Sequence, residues 1–266
     1  MNRVVVVSAF CLLACGRPLL ALAGVTPDGE ATQVHGAEPG GTYRGSIAIR
    51  NPGADVAQVK LYQTDYLFSA DGKNAFDAPG SLARSNAAWL RLNREQVTVA
   101  PDSVATIDYE VRVPVDSGLS GTYWSVVMVQ ELPPAEAAGA PRAGVKLGQT
   151  LRHAIQIVTE VGDTARSEIA FLNARVVGEG AQRQLDIDLA NTGERWLRTD
   201  IWLELHDSRG RVVGRFAAPR RRTFPGTSVR NRIELGAAPA GKYLGLLVAD
   251  GGRNDLFGMQ IELDLR

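Results

Sequence analysis

The chain has 266 residues, 45% of them hydrophobic, and its 29 basic residues balance its 29 acidic ones. This length is enough to build two hydrophobic cores of ordinary domain size. A formal net charge of zero provides no global field that favours nucleic acid or an anionic membrane, so we expect no nucleic-acid partner.

The N-terminus has the pattern of a secretory signal peptide. Arg3 provides a basic start, an apolar run follows from Val4 to Gly16, and Ala21 and Ala23 form a small-x-small cleavage site. The apolar run is too short for the ~20 residues of a membrane span. We expect cleavage after Ala23 and export to the periplasm or the cell exterior.

Both cysteines, Cys11 and Cys15, lie inside this segment, so the mature chain would contain no disulfide and no thiol chemistry. Cys15 leaves a second possibility open, because the run from Leu12 to Cys15 resembles the processing signal of a bacterial lipoprotein. A membrane attachment is expected only if Cys15 is lipidated.

The apolar pattern of the mature chain has a period of two almost everywhere. Short β-rich runs alternate with clusters of Gly, Pro, Asn and Asp, and about seven such runs per half are typical of an immunoglobulin-like domain. The sequence therefore predicts an all-β protein with two immunoglobulin-like β-sandwich domains in tandem. The predicted domains cover residues 24–162 and 163–266, after a cleaved signal peptide at 1–23.

The predicted strands follow in chain order, separated by turns. Those of the first domain are 41–50, 56–68, 89–92, 96–99, 103–113, 122–131 and 151–161. Those of the second are 169–177, 184–189, 196–206, 211–216, 227–235, 240–251 and 257–265. Residues 132–142 contain three prolines and several alanines, which predicts an exposed loop.

The two halves share short motifs. A strand ends in Asn51-Pro52-Gly53 in the first half and in Asn191-Thr192-Gly193 in the second. A later strand starts with Gly121-Thr122-Tyr123 and with Gly241-Lys242-Tyr243, where the Tyr has the position of a tyrosine corner. These matches suggest an internal duplication.

Catalytic and metal-binding motifs are missing from the sequence. The three histidines, His35, His153 and His206, have no metal-binding spacing, and no nucleophile elbow or phosphate-binding loop is present. Asp186 and Asp188 would lie about 7 Å apart on one strand face, which suits glycoside hydrolysis, but we interpret them as a solvated strand face. We therefore predict no enzyme activity, no cofactor and no metal.

A cluster of arginines lies in and around a Pro-bounded loop of the second half. It could bind an anionic polymer, a phosphate head group or an acidic partner. It could equally be a charged edge that prevents sheet-to-sheet aggregation. The residues predicted for this anion or partner patch are Arg215, Arg220, Arg221 and Arg222.

The segment from Tyr123 to Pro134, followed by a loop and by Val145 to Ile157, resembles the periplasmic pilus-chaperone family of PapD-like proteins. In that family the sixth strand of the first domain ends in a Glu-x-Pro-Pro-like motif, matched here by Glu131-Leu132-Pro133-Pro134. A variable loop and a long seventh strand with alternating apolar residues follow.

The resemblance implies that the seventh strand is an edge strand that completes the sandwich of a pilus or surface subunit by β-augmentation. It further implies that Val145, Leu147 and Leu151 are inserted into the partner. Arg152 or His153 would be the basic anchor for the terminal carboxylate of the subunit. The family's second anchor, an Arg in the first strand, has no counterpart, since residues 24–40 contain no Arg or Lys.

From these observations we expect a non-catalytic, periplasmic, chaperone-like protein that binds an exported subunit through an edge strand. The alternative is a periplasmic or cell-surface scaffold or adhesive module that binds peptidoglycan, glycan or another surface protein. An exposed stacking platform made of Tyr66, Phe68 or Trp89 would support the alternative.

Overall fold

Four β-sheets, packed in two pairs, form the part of the chain that a computed structural model describes, residues 24–133, 151–253 and 255–266. The predicted signal peptide at 1–23 lies outside these residues. The strands of the first pair are β1 Thr26–Asp28, β2 Thr32–Ala37, β3 Thr42–Asn51, β4 Ala57–Phe68, β5 Asn74–Asp77, β6 Leu90–Leu92, β7 Gln96–Val99, β8 Ser103–Arg112, β9 Gly121–Leu132 and β10 Arg152–Val161. Those of the second pair are β11 Ile169–Val177, β12 Gln184–Asn191, β13 Leu197–His206, β14 Val212–Ala217, β15 Arg221–Thr223, β16 Ser228–Glu234, β17 Gly241–Asp250 and β18 Leu256–Leu265.

The described residues also contain two single turns of 3-10 helix, Ala87–Trp89 and Gly180–Gln182. No described helix is long and apolar enough to cross a membrane.

The first sandwich packs the sheet β1-β3-β8-β6 against the sheet β2-β10-β9-β4-β5, in which β7 also pairs with β4. Alternate residues of facing strands point inward, so Ile47, Ile107, Val127 and Ile155 meet in one fully buried core. In the second sandwich, β11-β12-β16 packs against β14-β13-β17-β18 around a separate core. This topology confirms the predicted fold class, two immunoglobulin-like β-sandwiches in tandem.

The first strands pass from one sheet of the first sandwich to the other. β1 pairs antiparallel with β3, whereas β2 pairs in parallel with β10 in the facing sheet. Gly29, between them, has a φ of +136°, a conformation that other residues rarely adopt. The sequence predicted neither β1 nor β2, and it also missed β5 and β15.

The interpretation of Asp186 and Asp188 as a solvated strand face is wrong. Both are buried, because Arg232 and Arg230 lie directly opposite them on β16 and cover them. Arg230 donates two hydrogen bonds to Asp188, of 2.7 and 2.8 Å, and Arg232 donates one of 2.8 Å to Asp186. These cross-strand ion pairs satisfy the hydrogen-bonding capacity of the carboxylates, so the two aspartates stabilise the pairing of β12 with β16.

The two Asn-containing turns form the same hydrogen bonds. The Oδ1 of Asn51 accepts the Gly53 N–H at 3.0 Å, and the Oδ1 of Asn191 accepts the Gly193 N–H at 3.0 Å. Each Nδ2 donates to the carbonyl four residues ahead, that of Asp55 at 2.8 Å and that of Arg195 at 2.7 Å. Each also donates to a neighbouring strand or loop carbonyl, so both side chains close a turn and satisfy buried backbone groups.

We expect Asn51→Ala and Asn191→Ala each to lower the free energy of unfolding by about 1–3 kcal/mol, because each leaves buried carbonyl groups without a donor. Urea denaturation measures the loss. The exposed Asn93 serves as control, and Asn93→Ala should change the free energy by less than about 0.5 kcal/mol. A loss at only one of the two turns would contradict their equivalence.

Candidate functional site

β10 is the strand in which the sequence places the partner-binding edge. It pairs with β9 along its whole length, from Arg152 opposite Gln130 to Val161 opposite Gly121. On its other side, β2 covers only the part from Gln156 to Val161. The edge of β10 is therefore open from Arg152 to Ile155 among the described residues.

The backbone groups on this open side follow from strand geometry. The Gln156 N–H donates to the carbonyl of Ala31 at 2.9 Å, toward the side that β2 covers. Backbone groups of alternate residues point to the same side of a strand, so the N–H and C=O groups of Arg152 and Ala154 point to the open edge.

The inward-facing side chains of β10, together with Leu151 just before the strand, form a row that becomes more exposed toward its N-terminal end. Ile157 and Ile155 are buried in the first sandwich, His153 is half-buried, and Leu151 is 44% exposed. Leu151, one of the predicted inserted residues, thus extends the row beyond the core of its own domain. The other two, Val145 and Leu147, lie outside the described residues.

The two candidates for a basic anchor, Arg152 and His153, lie at this end of β10. Arg152 is exposed, and its Nη1 donates to the hydroxyl of Tyr62 at 3.3 Å. His153 is half-buried, and its Nε2 has no hydrogen-bond partner among the described residues. Neither side chain lines the cleft between the sandwiches.

That cleft has a volume of about 1100 Å³ and begins at the point where β2 meets β10. Its wall on the first sandwich includes Thr32, Gln156, Tyr66 and Phe68, and its wall on the second includes Arg221 and Arg222. The structure therefore brings two predicted features together, the aromatic side chains of the first domain and part of the arginine cluster of the second.

An aromatic cluster fixes the two walls of the cleft. Trp124, Val158 and Phe224 are fully buried between the sandwiches, and the rings of Trp124 and Phe224 stack with their centroids 5.0 Å apart. The backbone N–H of Trp196 donates to the hydroxyl of Thr122 at 2.8 Å and adds a polar link. This contact could not be predicted from the sequence, because it joins residues that are distant in the chain.

The predicted arginine patch is divided. Arg221 and Arg222 are in β15 and line the cleft, whereas Arg215 is in β14 and stacks over the ring of Trp202 at 4.2 Å. Arg220 holds the Asp200 carboxylate in a two-point ion pair. Arg220 lies in the Pro-bounded loop and Arg215 in the strand predicted before it, whereas the sequence did not predict that Arg221 and Arg222 begin a strand.

The exposed aromatic pair in the structure differs from the stacking platform that the sequence predicted. Trp89 packs on Tyr123 with ring centroids 4.7 Å apart, and Phe68 packs on Phe224 between the sandwiches. Tyr66 stacks on Phe76 at 4.7 Å, and Phe76 is 48% exposed. The sequence missed Phe76 because it did not predict β5.

Two side chains attach β2 to the facing sheet. His35 stacks on Tyr43 with centroids 4.5 Å apart, and its Nε2 lies 3.0 Å from the hydroxyl of Tyr109. That hydroxyl donates to the Oε1 of Gln33 at 2.5 Å. Burial lowers the pKa of His35 below 6.5, raises the pKa of Tyr43 to about 12 and raises the pKa of Tyr109 as well.

We expect the attachment of β2 to weaken in acid. The folded protein resists protonation of His35 and the unfolded chain accepts it, so the stabilisation is complete above pH 6.5 and falls as the pH drops through the lower pKa of the folded state. Tyr43 and Tyr109 stay neutral throughout. Urea unfolding at about pH 7.5 and about pH 5.5 should show a larger loss for the wild type than for His35→Gln. His206→Gln is the control, and it should keep the loss seen in the wild type.

No protein-family model matches the chain, and neither does any curated protein. Among solved structures it is similar to a chain of the chaperone–tip adhesin complex of CFA/I fimbriae, with 9% identity, a TM-score of 0.49, and coverage of 90% of this chain and 98% of that one. It is also similar to the CupB2 chaperone of Pseudomonas aeruginosa, with 11% identity, a TM-score of 0.43 and coverage of 91% and 100%. A chain of the CsuC–CsuE pre-assembly complex of Acinetobacter baumannii Csu pili has 14% identity, a TM-score of 0.44 and coverage of 90% and 98%.

Proposed function

We propose that this chain is a non-catalytic, periplasmic, chaperone-like protein that binds an exported subunit of a pilus or other surface structure by β-strand addition. The observation that carries the proposal is the open edge of β10 from Arg152 to Ile155, beside the β2-covered part of the same strand. An open edge of this kind is a template for an extended segment of another chain.

The backbone provides the attraction. The N–H and C=O groups of Arg152 and Ala154 face the open side, and an incoming strand would pair with them as β2 pairs with the rest of β10. Main-chain hydrogen bonds do not depend on the partner's side chains, so this part of the contact suits several related subunits.

The side chains provide the specificity. Leu151 continues the inward row of Ile155 and Ile157 but is 44% exposed, so it is available to a partner. A subunit whose own sandwich lacks a strand has an apolar groove for such a row, and Leu151 would fill it.

The bound segment would also reach the cleft. A strand added beside Arg152 to Ile155 lies in line with β2 and ends where Ala31 bonds to Gln156. Thr32 and Gln156 line the cleft at that point. The end of the bound segment would therefore contact both sandwiches.

One observation favours the alternative, a module that binds glycan or peptidoglycan. Phe76 is 48% exposed and stacks on Tyr66, which lines the cleft. An exposed ring face can stack on a sugar ring. This site does not overlap the open edge of β10, so the two candidates can be tested separately.

The test is a proline at position 154. Ala154→Pro removes the N–H that faces the open edge and leaves the pairing with β9 in place, because Pro is tolerated where its nitrogen points away from a ladder. Co-purification from the periplasm should yield a specific subunit with the wild type and lose it with Ala154→Pro. Ala154→Ser keeps the N–H and should retain the subunit.

Two further variants separate the candidates. Leu151→Asp should also lose the subunit, since a charge cannot enter an apolar groove without a large desolvation cost. Phe76→Ala should leave subunit binding unchanged. If binding survives both Ala154→Pro and Leu151→Asp and is lost with Phe76→Ala, strand addition is wrong.

A further inference from the structure

Two arginines of the second sandwich lie face to face. Arg198 of β13 is directly opposite Arg222 of β15 in the antiparallel register. Like charges at opposed positions on neighbouring strands destabilise a sheet. Arg222 also lines the cleft. We call Arg198 and Arg222 the arginine pair.

The guanidinium of Arg222 is held in place without an ionic partner. It lies over the ring of Trp196, 4.8 Å from the ring centroid, which restricts its orientation. Its Nε is buried and has no hydrogen-bond partner among the described residues. Burial lowers the pKa of Arg222, the positive charge of Arg198 lowers it further, and Glu30 opposes both. A buried donor with no acceptor is costly, so this group is poised for an anion.

The acidic residues nearby do not neutralise the arginine pair. Both carboxylate oxygens of Asp200 bind Arg220. Asp186 and Asp188 are held by Arg232 and Arg230. Within the described ranges, neither Arg198 nor Arg222 forms an ion pair, and Glu30 lies beyond ion-pair distance of Arg222. The two opposed positive charges thus have no ion-pair partner in this part of the chain.

We propose that the arginine pair, Arg198 and Arg222, is a binding site for a phosphate group. A phosphate monoester carries a charge of about −1.5 to −2 and three acceptor oxygens, so it offsets the excess charge and can bridge opposed guanidinium groups. A single carboxylate would leave part of that charge unpaired. This site is independent of strand addition at β10, and the phosphate could be free or part of a lipid head group.

Isothermal titration of the purified chain with inorganic phosphate tests the site. We expect saturable binding that is weakened at least about tenfold by Arg198→Gln and by Arg222→Gln, because each change removes a charge-assisted contact. Arg198 is exposed, so its variant should fold as the wild type does, which circular dichroism verifies. Arg209→Gln, in the exposed turn between β13 and β14, removes the same charge elsewhere and should leave binding unchanged.

The source of the phosphate is resolved with vesicles. Co-sedimentation with phosphatidylcholine vesicles that contain phosphatidic acid, but not with pure phosphatidylcholine, indicates a head group, whereas binding of inorganic phosphate alone indicates a free ligand. Either result supports the site if Arg198→Gln weakens that binding at least about tenfold. The proposal is overturned if neither probe binds, if acetate binds as tightly as phosphate, or if Arg209→Gln weakens binding as much as Arg198→Gln. Ala154→Pro should not affect phosphate binding, so a failure of the strand-addition proposal can be distinguished from a failure of the phosphate site.

Discussion

Trp124 of β9 and Phe224, directly after β15, stack between the two sandwiches, and both side chains are almost fully buried. Aromatic stacks of this kind bury a large apolar area with a defined geometry. The contact fixes the position of β15 against the outer face of β9 and β10. Because of it, Arg221 and Arg222 of the second domain border the same cleft as Gln156, the residue of β10 at which the cover by β2 begins.

Successive side chains of β10 point to opposite faces of the sheet, and those on the outer face reach the same contact. Ile155 and Ile157 point into the core of the first sandwich, while Val158 points outward and packs with Phe224. Both faces of this part of the strand are therefore occupied, and β2 covers its free edge. Before Gln156 the pairing with β2 stops, and beyond Ile155 the inner face leaves the core, so the open backbone and the exposed Leu151 occur at the same end of the strand. The candidate binding edge is the part of β10 that extends beyond its pairing with β2.

Much of the fold could be predicted from the sequence, because long strands with one buried face leave a period of two. β9 and β13 are examples, with predicted and observed bounds within one residue. β2 could not be predicted because all of its residues except Val34 are polar or small and none of them is fully buried. Its pairing with β10 also joins residues far apart in the chain. The pairing of Asp186 and Asp188 with Arg232 and Arg230 was hidden for the same reason, since charges look solvated until the opposite strand is known.

The shared motifs show what local sequence can and cannot indicate. Asn51 and Asn191 form the same hydrogen bonds because the geometry of an Asx turn is determined by a few consecutive residues. The Gly-x-Tyr motifs have diverged: the Tyr243 hydroxyl donates to the carbonyl of Pro239 at 3.0 Å, as in a tyrosine corner, while Tyr123 packs on Trp89. A Cβ on Gly121 would lie 2.2 Å from the carbonyl oxygen of Glu194, where the second sandwich approaches. Gly121 of the first Gly-x-Tyr motif therefore allows the second sandwich to approach closely. This role depends on the contact between the two domains and cannot be predicted from one motif alone.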